Sequence, residues 1–166
     1  GEIGLDYHYD DTDEYAQKSA FVAQLELANS LKLPVIIHSR DAHADTLQIL
    51  KDNKSMLSHG GVMHCFSGSF ELAREYLKLG FYISFAGPLT FKNANSILEV
   101  AKIVPDDRCL TETDSPYLAP HPLRGTVNEP KNVGIILSKL AELKGQDMYD
   151  LAQKVMQNAK TLFKKL

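Results

Sequence analysis

The stretch PVIIHS, Pro34 to Ser39, decides how this chain is read. Val35, Ile36 and Ile37 are consecutive, apolar and β-branched, with no alternation of polar residues. Alternation would mark a strand with one wet face; an unbroken run marks a strand buried on both faces, as in a parallel sheet covered by helices. On its N-terminal side Phe21, Leu25, Ala28 and Leu31 recur at helical spacing until Pro34, and the acidic run DDTDE, Asp10 to Glu14, suits the first turn of that helix. Before it stands GEIGLD, Gly1 to Asp6, a further strand candidate. On the C-terminal side Ala44, Leu47 and Leu50 predict a helix, GVMHCFSG from Gly61 a strand, and Leu72, Ala73, Tyr76 and Leu77 a helix closed by Gly80. FYISFAG from Phe81 predicts the next strand, and Ile97, Leu98 and Ala101 the helix behind it. RCLTETDSP from Arg108 predicts the fifth strand. The loop from Ser115 to Pro130 holds four of the seven prolines, too many for a regular element. Two helical stripes end the chain, Val133 to Leu140 and Met148 to Phe163. Strand and helix alternate throughout, which predicts βα units, a parallel sheet and an α/β fold.

At 166 residues the chain suits a single domain. A content of 44% hydrophobic and 23% charged residues places it among globular proteins rather than disordered ones. A net charge of −3 argues against a broad basic face for nucleic acid or an anionic membrane, so any phosphate must be met locally. Cys65 and Cys109 lie far apart in no CxxC pattern and read as reduced, buried thiols of a cytosolic protein. No apolar run approaches the roughly 20 residues that span a bilayer, and none resembles a signal peptide. The simplest location is the cytoplasm, with no membrane partner.

The chemistry gathers at strand ends. Glu2, His38 after VII, His64 after VM and Asp114 after CLTET each stand where parallel α/β sheets converge on ligands. Glu2 to His38 is 36 residues and His38 to His64 is 26, each about one βα unit; His64 to Asp114 is 50, about two. Singly, a histidine at a strand end is more often a hydrogen-bonded structural residue, and an Asp before Ser-Pro more often a turn residue. Four at successive strand ends reverse that balance, because ionisable groups beside buried strands are costly unless paired or metal-bound. Two imidazoles and a carboxylate make a catalytic metal set with an open position, and a second carboxylate allows a two-metal arrangement. Such a centre activates water without a serine or cysteine nucleophile. Walker A, GxGxxG, HExxH and GxSxG patterns are all absent. His8, His43 and His59 have no comparable setting and read as surface or loop residues.

With these stretches assembled, the sequence resembles the TatD family of metal-dependent deoxyribonucleases, within the amidohydrolase superfamily of TIM barrels. GEIGLDYH, LPVIIHSRDA, MHCFSGS, YISFAGPLTFKNA, LTETDSPYLAPHPLRG with NEP, and NAKTLF carry the resemblance in order over essentially the whole chain. It implies a (β/α)8-type fold and two divalent ions, with zinc, magnesium and manganese not distinguished. In that reading Glu2 bridges the ions, His38 and His64 hold one of them, and Asp114 helps hold the other while orienting or deprotonating the attacking water. DNA is the implied partner, its phosphate meeting Arg124 and His121 in the proline-rich loop, with Glu112 and Glu129 supporting the ligands from behind. Where family members often carry Lys-Arg, this chain has Thr126 and Val127, which removes two positive charges beside the phosphate.

The family's first strand ends in His-x-His, and no His-x-His occurs here. A TIM barrel takes typically about 250 residues and eight strands. Residues 1–166 are therefore expected to form one partial barrel, the last five βα units, with open edges at GEIGLD and CLTETD that invite self-association. Hydrolysis of DNA phosphodiester bonds by metal-activated water is the expected function. The alternatives are an amidohydrolase acting on a cyclic amide or ester, since scaffold does not set chemistry, and an inactive truncated fragment.

Overall fold

A computed structural model describes residues 2–164. Five strands, β1 (Glu2–Asp6), β2 (Val35–Arg40), β3 (Gly61–Met63), β4 (Tyr82–Phe85) and β5 (Cys109–Thr111), form one parallel sheet in sequence order. Glu2 lies beside Ile36, Val35 beside Gly61, Val62 beside Tyr82, and Ile83 beside Cys109. Parallel neighbours need a crossover, and α1 (Glu14–Ser30), α2 (His43–Asp52), α3 (Phe70–Lys78) and α4 (Asn95–Ile103) supply one at each step, with α5 (Val133–Lys144) and α6 (Met148–Leu162) following β5. No helix among the described residues is long and apolar enough to cross a membrane.

Local chemistry explains the boundaries. The side chain of Asp13, within the acidic run, accepts from the Ala16 N–H and caps α1; Ser69 and Asp147 cap α3 and α6 the same way. Gly145, at φ 62°, ends α5 in the left-handed conformation that glycine tolerates best. One position departs from the helical stripe: Phe21 and Leu25 are buried, but Leu31 follows the last turn of α1 and is 57% exposed. The chain turns there, with Lys32 at φ 57°, so the periodicity stops one step before the sequence pattern does.

The two faces of the sheet are packed differently. Leu5, Ile37, Met63, Ile83, Phe85 and Cys109 point outward into the main core beneath the helices. The opposite face carries Ile36, Val62, Tyr82 and Leu110, closed by Leu162 and Phe163 at the end of α6. Side chains two residues apart on a strand share a face, so the next positions along β2, β3, β4 and β5 are His38, His64, Ser84 and Glu112. The inner face is thus layered: an apolar floor below, a row of polar groups above. This stacking is the packing logic of a (β/α)8 interior.

Side chains also fasten the irregular segments. The amide of Asn128 donates to the Thr113 and Tyr117 carbonyls, each at 2.7 Å, while its oxygen accepts from the Glu129 N–H and from Asn132, both at 2.9 Å. This pins the proline-rich loop to the end of β5. Asn158 of α6 donates to the Asp106 and Cys109 carbonyls at 2.7 and 2.8 Å, seating that helix beneath the sheet.

Candidate metal centre

Glu2, His38 and His64 converge: one ligand atom from each lies within 4.8 Å of the others. Glu2 Oε2 is 2.8 Å from His64 Nε2 and 3.7 Å from His38 Nδ1, and those two ring nitrogens are 3.3 Å apart. Gly4 makes this approach possible. At φ 138° it pairs with His38, and a Cβ there would lie 2.1 Å from the His38 carbonyl oxygen, so no larger residue lets β1 lie this close to β2.

Each imidazole is held from behind by a carboxylate. His38 Nε2 lies 3.1 Å from Asp6 Oδ2, and His64 Nδ1 lies 3.1 Å from Glu112 Oε2; Glu112 also accepts from the Cys65 N–H. A carboxylate can only accept, so each ring donates outward and the neutral ring turns its lone pair inward, toward Glu2. Burial pulls the His64 imidazole down, but Glu112, with Glu2 and Asp114 nearby, outweighs it and raises the pKa above the ordinary histidine value. Burial likewise pushes Glu112 up, and its bonds to His64, the Cys65 N–H and Ser84 hold its carboxyl below the usual range. Carboxylate–imidazole pairs with a free inner nitrogen are the arrangement found behind metal-ligating histidines. With one carboxylate and two imidazoles as donors, the residues present fit a divalent ion with an open coordination position.

The remaining candidate residues distribute unevenly. Asp114 lines the same cavity of about 590 Å³ as the three ligands but stands outside their close cluster. Burial raises its carboxyl pKa, and the charges of Glu112 and Glu2 add to the rise against the rings of His64 and His38. Arg124 and His121 line a neighbouring cavity of about 540 Å³, which shares Ser67 and Pro88 with the first as lining residues. Glu129 is placed otherwise than expected. Its half-exposed carboxylate reaches Lys131 at 2.6 Å, and it is not among the residues that line the ligand cavity. The pairing of β1 with β2 runs on from Glu2 through Asp6, so Glu2 stands ahead of the carboxyl end of that strand.

Asp6, the partner of His38, was not among the candidate residues. It lies two alternations beyond Glu2 on the same face of the strand, so period-two spacing from Glu2 carried the signal. His43 and His8 sit apart from the cluster: His43 at the start of α2 near Ser39, His8 on the surface with Asp41 at 3.0 Å. Both thiols are free; Cys109 is buried and pushed up to about 11 by burial, whereas Cys65 is half-buried behind the ligands.

A family model described as TatD related DNase matches residues 1–164. That match lends no support to the expected absence of a leading portion. The chain is 49% identical to the uncharacterized metal-dependent hydrolase YabD of Bacillus subtilis (strain 168) over 99% of its own length and 64% of the relative's. It is 47% identical to the uncharacterized metal-dependent hydrolase YcfH of Escherichia coli (strain K12) over 98% of its length and 61% of that protein's. The chain therefore spans less than two thirds of these curated relatives. The crystal structure of YjjV, a TatD homolog from Escherichia coli K12, superimposes with a TM-score of 0.94 at 35% identity, covering 99% of this chain and 62% of that one. A parallel sheet with an apolar floor and a polar layer of paired histidines, matched along the chain by one family model, places the protein in the TatD family.

Proposed function

We propose that the protein hydrolyses phosphodiester bonds of DNA, using divalent ions held at Glu2, His38, His64 and Asp114. The observation that carries this reading is the pair of imidazoles, each backed by a carboxylate and each turning its inner nitrogen toward Glu2. A divalent ion held by these residues would supply water activated at neutral pH and a Lewis acid for a phosphoryl oxygen. Asp114, across the same cavity, accepts the proton of the attacking water. Asp6 and Glu112 keep the two rings oriented while this happens. Arg124 and His121 border the adjoining cavity, where they meet phosphate charge that the acidic ligand cluster would otherwise repel. Two free thiols suit a reducing compartment, and the cytoplasm is the location we assign.

The bond is what distinguishes this reading from hydrolysis of a cyclic amide or ester. A cationic cavity beside the ligands favours the phosphate side. The test compares single-stranded DNA with lactones and cyclic amides as substrates, in the presence of magnesium, manganese or zinc. Metal-dependent DNA cleavage that falls more than about a hundredfold in His64→Ala supports the proposal. Cleavage that persists in that variant, or turnover confined to lactones or cyclic amides, overturns it.

A further inference from the structure

Gln17 lies on α1, one turn beyond the Asp13 cap, and its carboxamide grips the backbone of Asp6 at both polar atoms. Its oxygen accepts from the Asp6 N–H at 2.8 Å, and its amide nitrogen donates to the Asp6 carbonyl at 2.8 Å. Pairing with β2 leaves those two groups free. Successive residues of a parallel strand turn their N–H and C=O toward opposite edges, and the Tyr7 N–H goes to the Arg40 carbonyl at 2.9 Å, on the β2 side. Asp6 therefore faces the other edge, where β1 ends the sheet among the described residues. A carboxamide carries one acceptor beside one donor group, as a peptide does, so Gln17 completes for Asp6 the pair that a neighbouring strand would make. The Asp6 side chain is fixed as well: Oδ1 accepts from the His8 N–H at 3.0 Å, and Oδ2 faces His38 Nε2 at 3.1 Å.

We propose that Gln17 is a positioning residue of the ligand cluster: by clamping the Asp6 backbone, its carboxamide fixes the carboxylate that holds His38 with Nε2–H outward and Nδ1 toward Glu2. This deepens the reading of Glu2, His38 and His64 as a metal centre and rests on it. A carboxylate orients an imidazole only as well as its own backbone is held. His64 offers the contrast. Its partner Glu112 is held by the Cys65 N–H and, through its own N–H, by the Phe85 carbonyl, neither of them in α1. The clamp therefore acts on one of the two rings.

The test reads ion binding and ring state rather than turnover. Gln17→Met keeps the length and helix preference of the side chain and removes both hydrogen bonds. Calorimetric titration of the chelator-treated proteins with zinc or manganese gives ion affinity, and proton–nitrogen spectra of the histidine rings, recorded in chelator, give their tautomers. We expect Gln17→Met to lower affinity about 3- to 10-fold, the size of one net hydrogen bond, and to shift His38 away from the Nε2–H form while the His64 ring is unchanged. In an Asp6→Ala background the same substitution should change affinity less than about twofold, because its route to the ion is gone. Gln17→Glu, which keeps the acceptor for the Asp6 N–H and loses the donor to its carbonyl, stands in should thermal unfolding show Gln17→Met to be unfolded. Wild-type affinity, or unchanged His38 signals, overturns the proposal. So does an equal loss in the two backgrounds or an equal change in both rings, either of which marks a general loosening of the fold. If the wild-type protein binds no ion, the metal reading fails and the ring spectra alone decide the clamp. If ions bind as expected but no DNA is cleaved, the clamp stands and the hydrolysis reading fails.

Discussion

Glu112 touches His64 from the side away from Glu2, so it acts on the Glu2–His38–His64 cluster through that imidazole. Glu112→Gln keeps the shape but takes the charge from behind the ring, lowering its basicity. We expect divalent-ion affinity to fall about 10- to 100-fold, measured by calorimetric titration, with the unfolding temperature little changed. At this scale much of the candidate site was legible. His38 and His64 stand out because each follows an apolar strand, whereas Glu112 was implied only by the family resemblance. Asp6 escaped notice although the same alternation links it to Glu2. Glu129 pairs with Lys131, and a proline-rich loop has no periodicity from which to read such a contact.

Between elements, two contacts carry predictions of opposite kind. Gly4 holds β1 against β2. Gly4→Ala is expected to cost about 1–3 kcal/mol from backbone strain alone, with more from the clash with the His38 carbonyl, and to weaken ion binding by moving Glu2 away from His38; urea unfolding and calorimetry read the two effects. Asp106 instead ties the turn before β5 to both final helices, reaching Lys144 at 3.0 Å and Lys154 at 2.8 Å. The Lys154 ammonium holds the Asp106 carboxyl far below its ordinary value against the opposing effect of burial, with help from Gln146 and Lys144. A depressed carboxylate stabilises the fold above its unfolded pKa of about 4 and loses that contribution as pH falls through the folded value. Lys144 is only 4% exposed, so Asp106→Asn strands a buried ammonium and is expected to cost about 3 kcal/mol at neutral pH. The gap in urea midpoint between wild type and Asp106→Asn should narrow as pH drops from about 4 toward 2; a gap that stays constant there would rule out this stabilisation. The helices themselves were readable from their stripes, whereas the 3-10 turn at Asp106–Arg108 was not, being held by contacts with residues about 40 positions away or more.

Across the whole molecule, function follows from one device repeated on neighbouring strands: an apolar residue facing the inner floor, then a polar one two positions later. Ile36 precedes His38, Val62 precedes His64, Tyr82 precedes Ser84 and Leu110 precedes Glu112. The parallel sheet was legible in the alternation of short apolar runs with helical stripes, whereas this layering follows from the strand register. Nor was the sharing of Ser67 and Pro88 by the two cavities legible, because it depends on how loops from different strands meet in space. Metal binding by this polar layer is what the proposed hydrolysis requires. Its most direct test is calorimetric titration of the chelator-treated protein with zinc and manganese, beside a variant carrying Glu2→Gln, His38→Ala and His64→Ala together. The account predicts at least one ion bound per wild-type chain and loss of that binding in the triple variant; equal uptake by the two proteins would contradict it.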